Sequence, residues 1–200
     1  MSPETLLAFA VASAIAVAIP GPVVVFVVTR AAAGGWRAVL PTAAGVALGD
    51  SIALLVSLLG LGAVLAASAD LFTAVKWLGA AYLVWLGIKL WRAPVEAPPP
   101  LPARRAFRDA FLVTVLNPKS IGFFVAFLPQ FVDPARPLPP QGAILLATFV
   151  GLGTLNVLAY GAFATRLGAA IRAPGVRRWM HRAGGGAMVG AGIATALARR

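Results

Sequence analysis

Two helix-breaking motifs, Pro20-Gly21-Pro22 and Asn117-Pro118-Lys119, lie inside apolar stretches long enough to cross a membrane, in corresponding places of the chain's two halves. A bilayer core offers no water to freed backbone groups, so a break at membrane depth is tolerated only beside other protein or a polar cavity. Paired breaks in two halves therefore mark a candidate path through the membrane.

Composition agrees with a membrane-embedded chain. Of 200 residues, 60% are hydrophobic and 12% charged, with a mean hydropathy of +0.89, whereas soluble proteins carry about 25% charged residues. A soluble fold of this length has no core large enough to hide so much apolar surface, and lipid accepts it. The formal charge of +11 comes from arginines placed in short connections between apolar runs, with no aromatic-basic face for nucleic acid. The absence of cysteine excludes disulfides, thiolate metal sites and cysteine nucleophiles. Met1-Ser2-Pro3-Glu4 lacks the positive start of a secretory signal, although Ala16-Val17-Ala18 mimics a cleavage site, so a retained first helix is expected.

Apolar runs separated by charge or Pro/Gly clusters give six expected spans, near 4–29, 38–66, 71–91, 110–131, 141–165 and 182–198. Arg30 and Arg37 fall in the first connection, Lys89, Arg92, Arg104, Arg105 and Arg108 at the third, and Arg166, Arg172, Arg177, Arg178 and Arg182 at the fifth. Those twelve face only Lys76, Arg136, Arg199 and Arg200 on the other side, so connections one, three and five are expected in the cytoplasm and both termini outside. Trp36, Trp77, Trp91 and Trp179 sit at expected helix ends and read as an interfacial belt, while Trp85 is mid-span. Prolines in 93–108 prevent a helix throughout and mark a cytoplasmic linker.

The linker divides a single transmembrane domain, 1–200, into repeats at about 4–92 and 109–198. Three spans per repeat is an odd number, so the halves must have opposite topology. Faint echoes support this: Gly45 and Asp50 match Gly151 and Asn156 at equal spacing, and Gly79 with Gly87-Ile88 matches Gly184 with Gly192-Ile193. The expected fold is all-α and polytopic, with spans one and four broken.

Both prolines of Pro20-Gly21-Pro22 remove a ladder hydrogen bond, and the freed carbonyls of the preceding turn need donors. Lys119 lies ten residues beyond Asp109, about 15 Å into a core of about 30 Å. A lysine at such depth faces protein or water and has a partner. Asp50, the one carboxylate well inside a span, lies twelve residues from the start of span two, about 18 Å deep. The matched depths predict that Asp50 and Lys119 lie within ion-pair reach where the halves meet, with Asp50 a candidate proton carrier. Gly45 with Gly49, and Gly186 with Gly190, read as helix-packing ridges, and His181 as a loop histidine beside Arg182.

The ordered set of Pro20-Gly21-Pro22, Gly45-Val46-Ala47-Leu48-Gly49-Asp50, Leu78-Gly79-Ala80-Ala81-Tyr82-Leu83-Val84-Trp85-Leu86-Gly87, Asn117-Pro118-Lys119 and Phe127-Leu128-Pro129-Gln130-Phe131 resembles the LysE family of amino-acid exporters over essentially the whole chain. The resemblance implies a small multi-pass protein of the bacterial inner membrane, often oligomeric, that exports amino acids or related metabolites under the proton-motive force. Asn156 fits the pattern loosely.

The expected partners are a small amino-acid substrate, the lipid bilayer and further copies of the chain, with no cofactor and no bound metal. Substrate binding or gating falls to Pro20, Gly21, Pro22, Asn117, Pro118, Lys119 and Asn156, and ion coupling to Asp50. A cation or metal-ion exporter is the nearer alternative, although Asp50, Asn117 and Asn156 make a thin oxygen set opposed by Lys119. A membrane enzyme fits poorly, because the chain has one histidine, no cysteine and no Gly-x-Ser-x-Gly turn.

Overall fold

A computed structural model describes residues 1–67, 101–133, 135–168 and 173–197, together with 77, 81, 84, 85, 87–89, 91 and 92. Most of the expected third span, including Lys76 and the Gly79 echo, lies outside the described residues, as do 93–100 of the linker and Arg172, Arg199 and Arg200.

Helix α1 (Pro3–Ala18) opens with Pro at its first position, where no donor is needed, and Ser2 Oγ accepts from the Thr5 amide at 3.2 Å. It ends where Pro20 and Pro22 supply no N–H to the carbonyls four residues back. Helix α2 (Pro22–Gly34) restarts on Pro22 and is bent 57° from α1. Gly35 closes α2 at φ 59°, a left-handed conformation that suits a residue without Cβ. Helix α3 (Trp36–Ala67) follows at once.

The fourth apolar run is broken as expected. Helix α4 (Ala103–Val115) and helix α5 (Pro118–Phe127) flank Leu116 and Asn117, and a 3-10 turn over Leu128–Phe131 completes the run. Helix α4 starts on Ala103, so residues 103–108 of the expected linker are helical, since the prolines stop at Pro102. Helices α6 (Leu138–Arg166) and α7 (Pro174–Leu197) finish the chain. The last helix begins eight residues before the expected span, because Pro174 is a good first-turn residue and nothing up to Arg182 breaks the helix. His181 is therefore not a loop residue: it is buried on α7.

Among the described residues, Trp36–Gly60 and Leu138–Arg166 are each long and apolar enough to cross a membrane, and α1 with α2 makes a bent third. Large apolar side chains face outward along these helices, Leu59 at 76% exposure and Leu155 at 64%, as lipid contact requires. Inside, Phe9, Leu54, Phe124, Leu128, Leu145 and Phe149 form one core joining α1, α3, α5 and α6. A second cluster joins α2, α3 and α6 through Val24, Val28, Val39 and Ala164.

The packing is reciprocal between halves. The broken helices α1 and α2 lie against α6, while α4 and α5 lie against α3, and α3 and α6 pack on each other. Gly45 and Gly49 let α4 approach α3: a Cβ on Gly45 would collide with the Phe107 carbonyl oxygen, and one on Gly49 would lie 2.8 Å from Thr114 Cβ. This ridge packs helices as the sequence suggests. Of the second ridge, Gly186 packs on the Trp91 ring, where a Cβ would lie 3.3 Å away, and Gly190 has open space; Gly87 and Gly185 bring their backbones together.

Candidate functional site

The break in span one sets the site. The last four carbonyls of a helix lack intrahelical donors, and at membrane depth water does not supply them. Here the Ile19 amide returns to the Ile15 carbonyl at 3.2 Å, which leaves those of Ala16, Val17, Ala18 and Ile19. Each of the four receives a side-chain donor from the second half of the chain. Lys119 Nζ donates to Ala16 O and to Ile19 O, both at 2.7 Å. Asn156 Nδ2 donates to Val17 O at 3.0 Å, and the Tyr160 hydroxyl donates to Ala18 O at 3.0 Å. Hydrogen bonds from an ammonium are short and about twice as strong as neutral ones, so Lys119 is the principal tie.

The second break holds the lysine in place. Asn117 is buried and caps α5: its Oδ1 accepts from the Lys119 amide at 3.2 Å, and its Nδ2 donates to Ser120 Oγ at 3.0 Å. Pro118 occupies the first helical position, where its missing N–H has no consequence. Gly21 completes the contact, because a Cβ there would meet the Lys119 side chain at 3.6 Å, so the two broken segments touch.

Gly21, Asp50, Asn117, Lys119 and Asn156 line one cavity with Phe123 and Phe149. Its volume is about 40 Å³, room for a few waters and well below the roughly 300 Å³ of typical small-molecule pockets. The cavity is small and only partly enclosed, with the Ala18 and Ile19 end of α1 exposed beside it. Asp50 enters from α3 at 5% exposure, and a Cβ on Gly153 of α6 would lie 3.1 Å from its Oδ2.

The expected contact between Asp50 and Lys119 is not formed. Among the described residues no nitrogen to oxygen approach within 4.0 Å joins them, although both face the same cavity. The physical reason is competition: the orphaned carbonyls of α1 reach the ammonium first. Pro20 and Pro22 act through the carbonyls they release. Tyr160 escaped sequence reading, and the signal was present: it follows Asn156 by four residues, one turn along the same face of span five.

Apolar helices broken in pairs around a small cavity that holds a lysine, an aspartate and two asparagines define a polytopic membrane protein of the translocator class. The chain belongs to the LysE type translocator family, whose model matches residues 14–199. An uncharacterized membrane protein of Vibrio cholerae is 38% identical over 185 residues, covering 90% of each chain. A homoserine/homoserine lactone efflux protein of Salmonella typhi is 33% identical with the same coverage. A leucine efflux protein of Salmonella choleraesuis is 32% identical over 161 residues, covering 74% of this chain and 75% of its own. No solved structure matches the chain.

Proposed function

We propose that the protein is a secondary exporter of amino acids or close derivatives across the bacterial inner membrane, driven by the proton-motive force and working by alternating access. The observation that carries this reading is the small cavity where the two broken spans meet, with Lys119 and Asp50 on its otherwise largely apolar wall. The names of the relatives support the substrate class. Homoserine, its lactone and leucine share a primary amine, while the lactone has no free carboxylate, so the amine is their common recognition element. In this reading Lys119 serves the substrate carboxylate, and Asp50 serves the amine side or a counter-moving proton.

The architecture assigned to this function is two inverted repeats of three spans, about 4–92 and 109–198, joined by a cytoplasmic linker with both termini outside. The reciprocal packing of span one on span five and span four on span two supports it. Rocking of one half against the other would expose the cavity to each side in turn.

The test is efflux from cells preloaded with dipeptides, following external amino acids over time at matched expression. Wild type is expected to release a few amino acids faster than empty-vector cells. Lys119→Ala and Asp50→Asn are expected to reduce that excess by about tenfold or more, as loss of a charged contact does. Release equal to empty vector for every amino acid overturns the reading.

A further inference from the structure

The shortest polar contacts of the site leave an ammonium position defined by backbone alone. Lys119 Nζ lies 2.7 Å from both Ala16 O and Ile19 O, so these carbonyls converge on one point at the spacing an ammonium sets. They stand at the C-terminal end of α1, where the helix dipole favours a cation. The two carbonyls between them are held separately by Asn156 and Tyr160, so the pair keeps its place whichever ammonium fills it. Asp50 is buried in the same cavity and has no hydrogen-bond partner among the described residues.

We propose that the Ala16 and Ile19 carbonyls are the binding site for the primary ammonium group of the substrate, and that Lys119 fills this site as an internal substitute until substrate displaces it. The proposal rests on the export reading and narrows its substrate class to primary amines, with or without a carboxylate.

Replacement of one ammonium by another makes the exchange feasible at membrane depth, where an unpaired charge is costly. One ammonium replaces another on the carbonyls. The displaced Lys119 then pairs with the carboxylate of a zwitterion, or with Asp50 when the ligand has no carboxylate. No bond is broken; a zwitterion leaves the net charge of the site unchanged, and a carboxylate-free amine adds one positive charge, which the Ala16 and Ile19 carbonyls hold while Asp50 takes Lys119.

Binding to the purified full chain, measured by isothermal titration, tests this with leucine, leucinamide and N-acetyl-leucine, and with the matching trio of homoserine, homoserine lactone and N-acetylhomoserine. The parent amino acid and its carboxylate-free amine should bind, and the N-acetyl derivative, which has no ammonium, should bind about tenfold or more weakly. In Lys119→Met the internal competitor is gone. Leucinamide or the lactone should then bind about tenfold more tightly than to wild type, while the parent zwitterion, having lost the partner of its carboxylate, should gain less.

N-acetyl derivatives that bind wild type as well as their parents overturn the ammonium site and leave export standing. So does a folded Lys119→Met protein with unchanged or weakened affinity for the amines. If that variant does not fold, the wild-type comparison decides alone. Failure of both parents and both amines to bind wild type overturns export and the ammonium site together.

Discussion

At the scale of single residues, the end of α1 depends on side chains rather than on its own backbone. A hydrogen bond to a carbonyl at that end is worth about 0.5 to 1.5 kcal/mol net. Tyr160→Phe removes only the donor to Ala18 O and keeps the ring. Its purified form is expected to be about 1 kcal/mol less stable than wild type, seen as a lower midpoint of thermal unfolding in detergent. An unchanged midpoint would mean that water already serves that carbonyl. Sequence disclosed that the carbonyls before Pro20 and Pro22 would need donors, and it disclosed Lys119 and Asn156 as intramembrane polar groups. It did not disclose that they were each other's answer. That pairing spans more than a hundred residues and depends on how α6 is rotated, which local periodicity does not encode. The same distance in sequence let Asp50 look like the obvious partner of Lys119, since matched depth is legible and lateral placement is not.

At the scale of elements, both breaks were legible because proline chemistry is local, and the ends of α4 and α7 were not. Charge counting placed Arg104, Arg105 and Arg108 in a linker. In the structure they ride on the first turns of α4, with Arg105 and Arg108 both beside Asp109. Likewise a run of arginines hid the first turns of α7, because positive charge marks the membrane boundary without ending a helix. The glycine echoes also separate here. Gly45 is pressed against the α4 backbone, whereas Gly151, its counterpart by spacing, has open space. Gly45→Ala is expected to destabilise by about 1 to 3 kcal/mol, since backbone cannot step aside. Gly151→Ala should leave stability within about 0.5 kcal/mol of wild type or raise it slightly. Equal effects in unfolding measurements would remove the packing explanation for Gly45.

At the scale of the whole molecule, membrane character was plain from composition, whereas the inverted repeat needs both halves in view. The reciprocal packing of broken and unbroken spans is what such a repeat would produce. It carries a test of orientation. The chain has no cysteine, so single cysteines report cleanly. Ser2→Cys is expected to react in intact cells, stripped of any outer membrane, with a charged maleimide that does not cross the inner membrane. Arg104→Cys is expected to react only after the cells are opened. The opposite pattern would invert the topology and turn the charge asymmetry against its usual rule.

The three side chains that donate to the end of α1 also constrain the order in which the protein is made. The groups that satisfy residues 16 to 19 lie 100 to 142 positions further along the chain. A ribosome that has delivered the first span to the membrane must therefore synthesise more than half of the remaining protein before that span can be closed. Until Tyr160 emerges, the first span must stay where water still reaches it, at the insertion machinery or against the membrane surface. Its final burial is a late event in synthesis, although it is the first segment to appear.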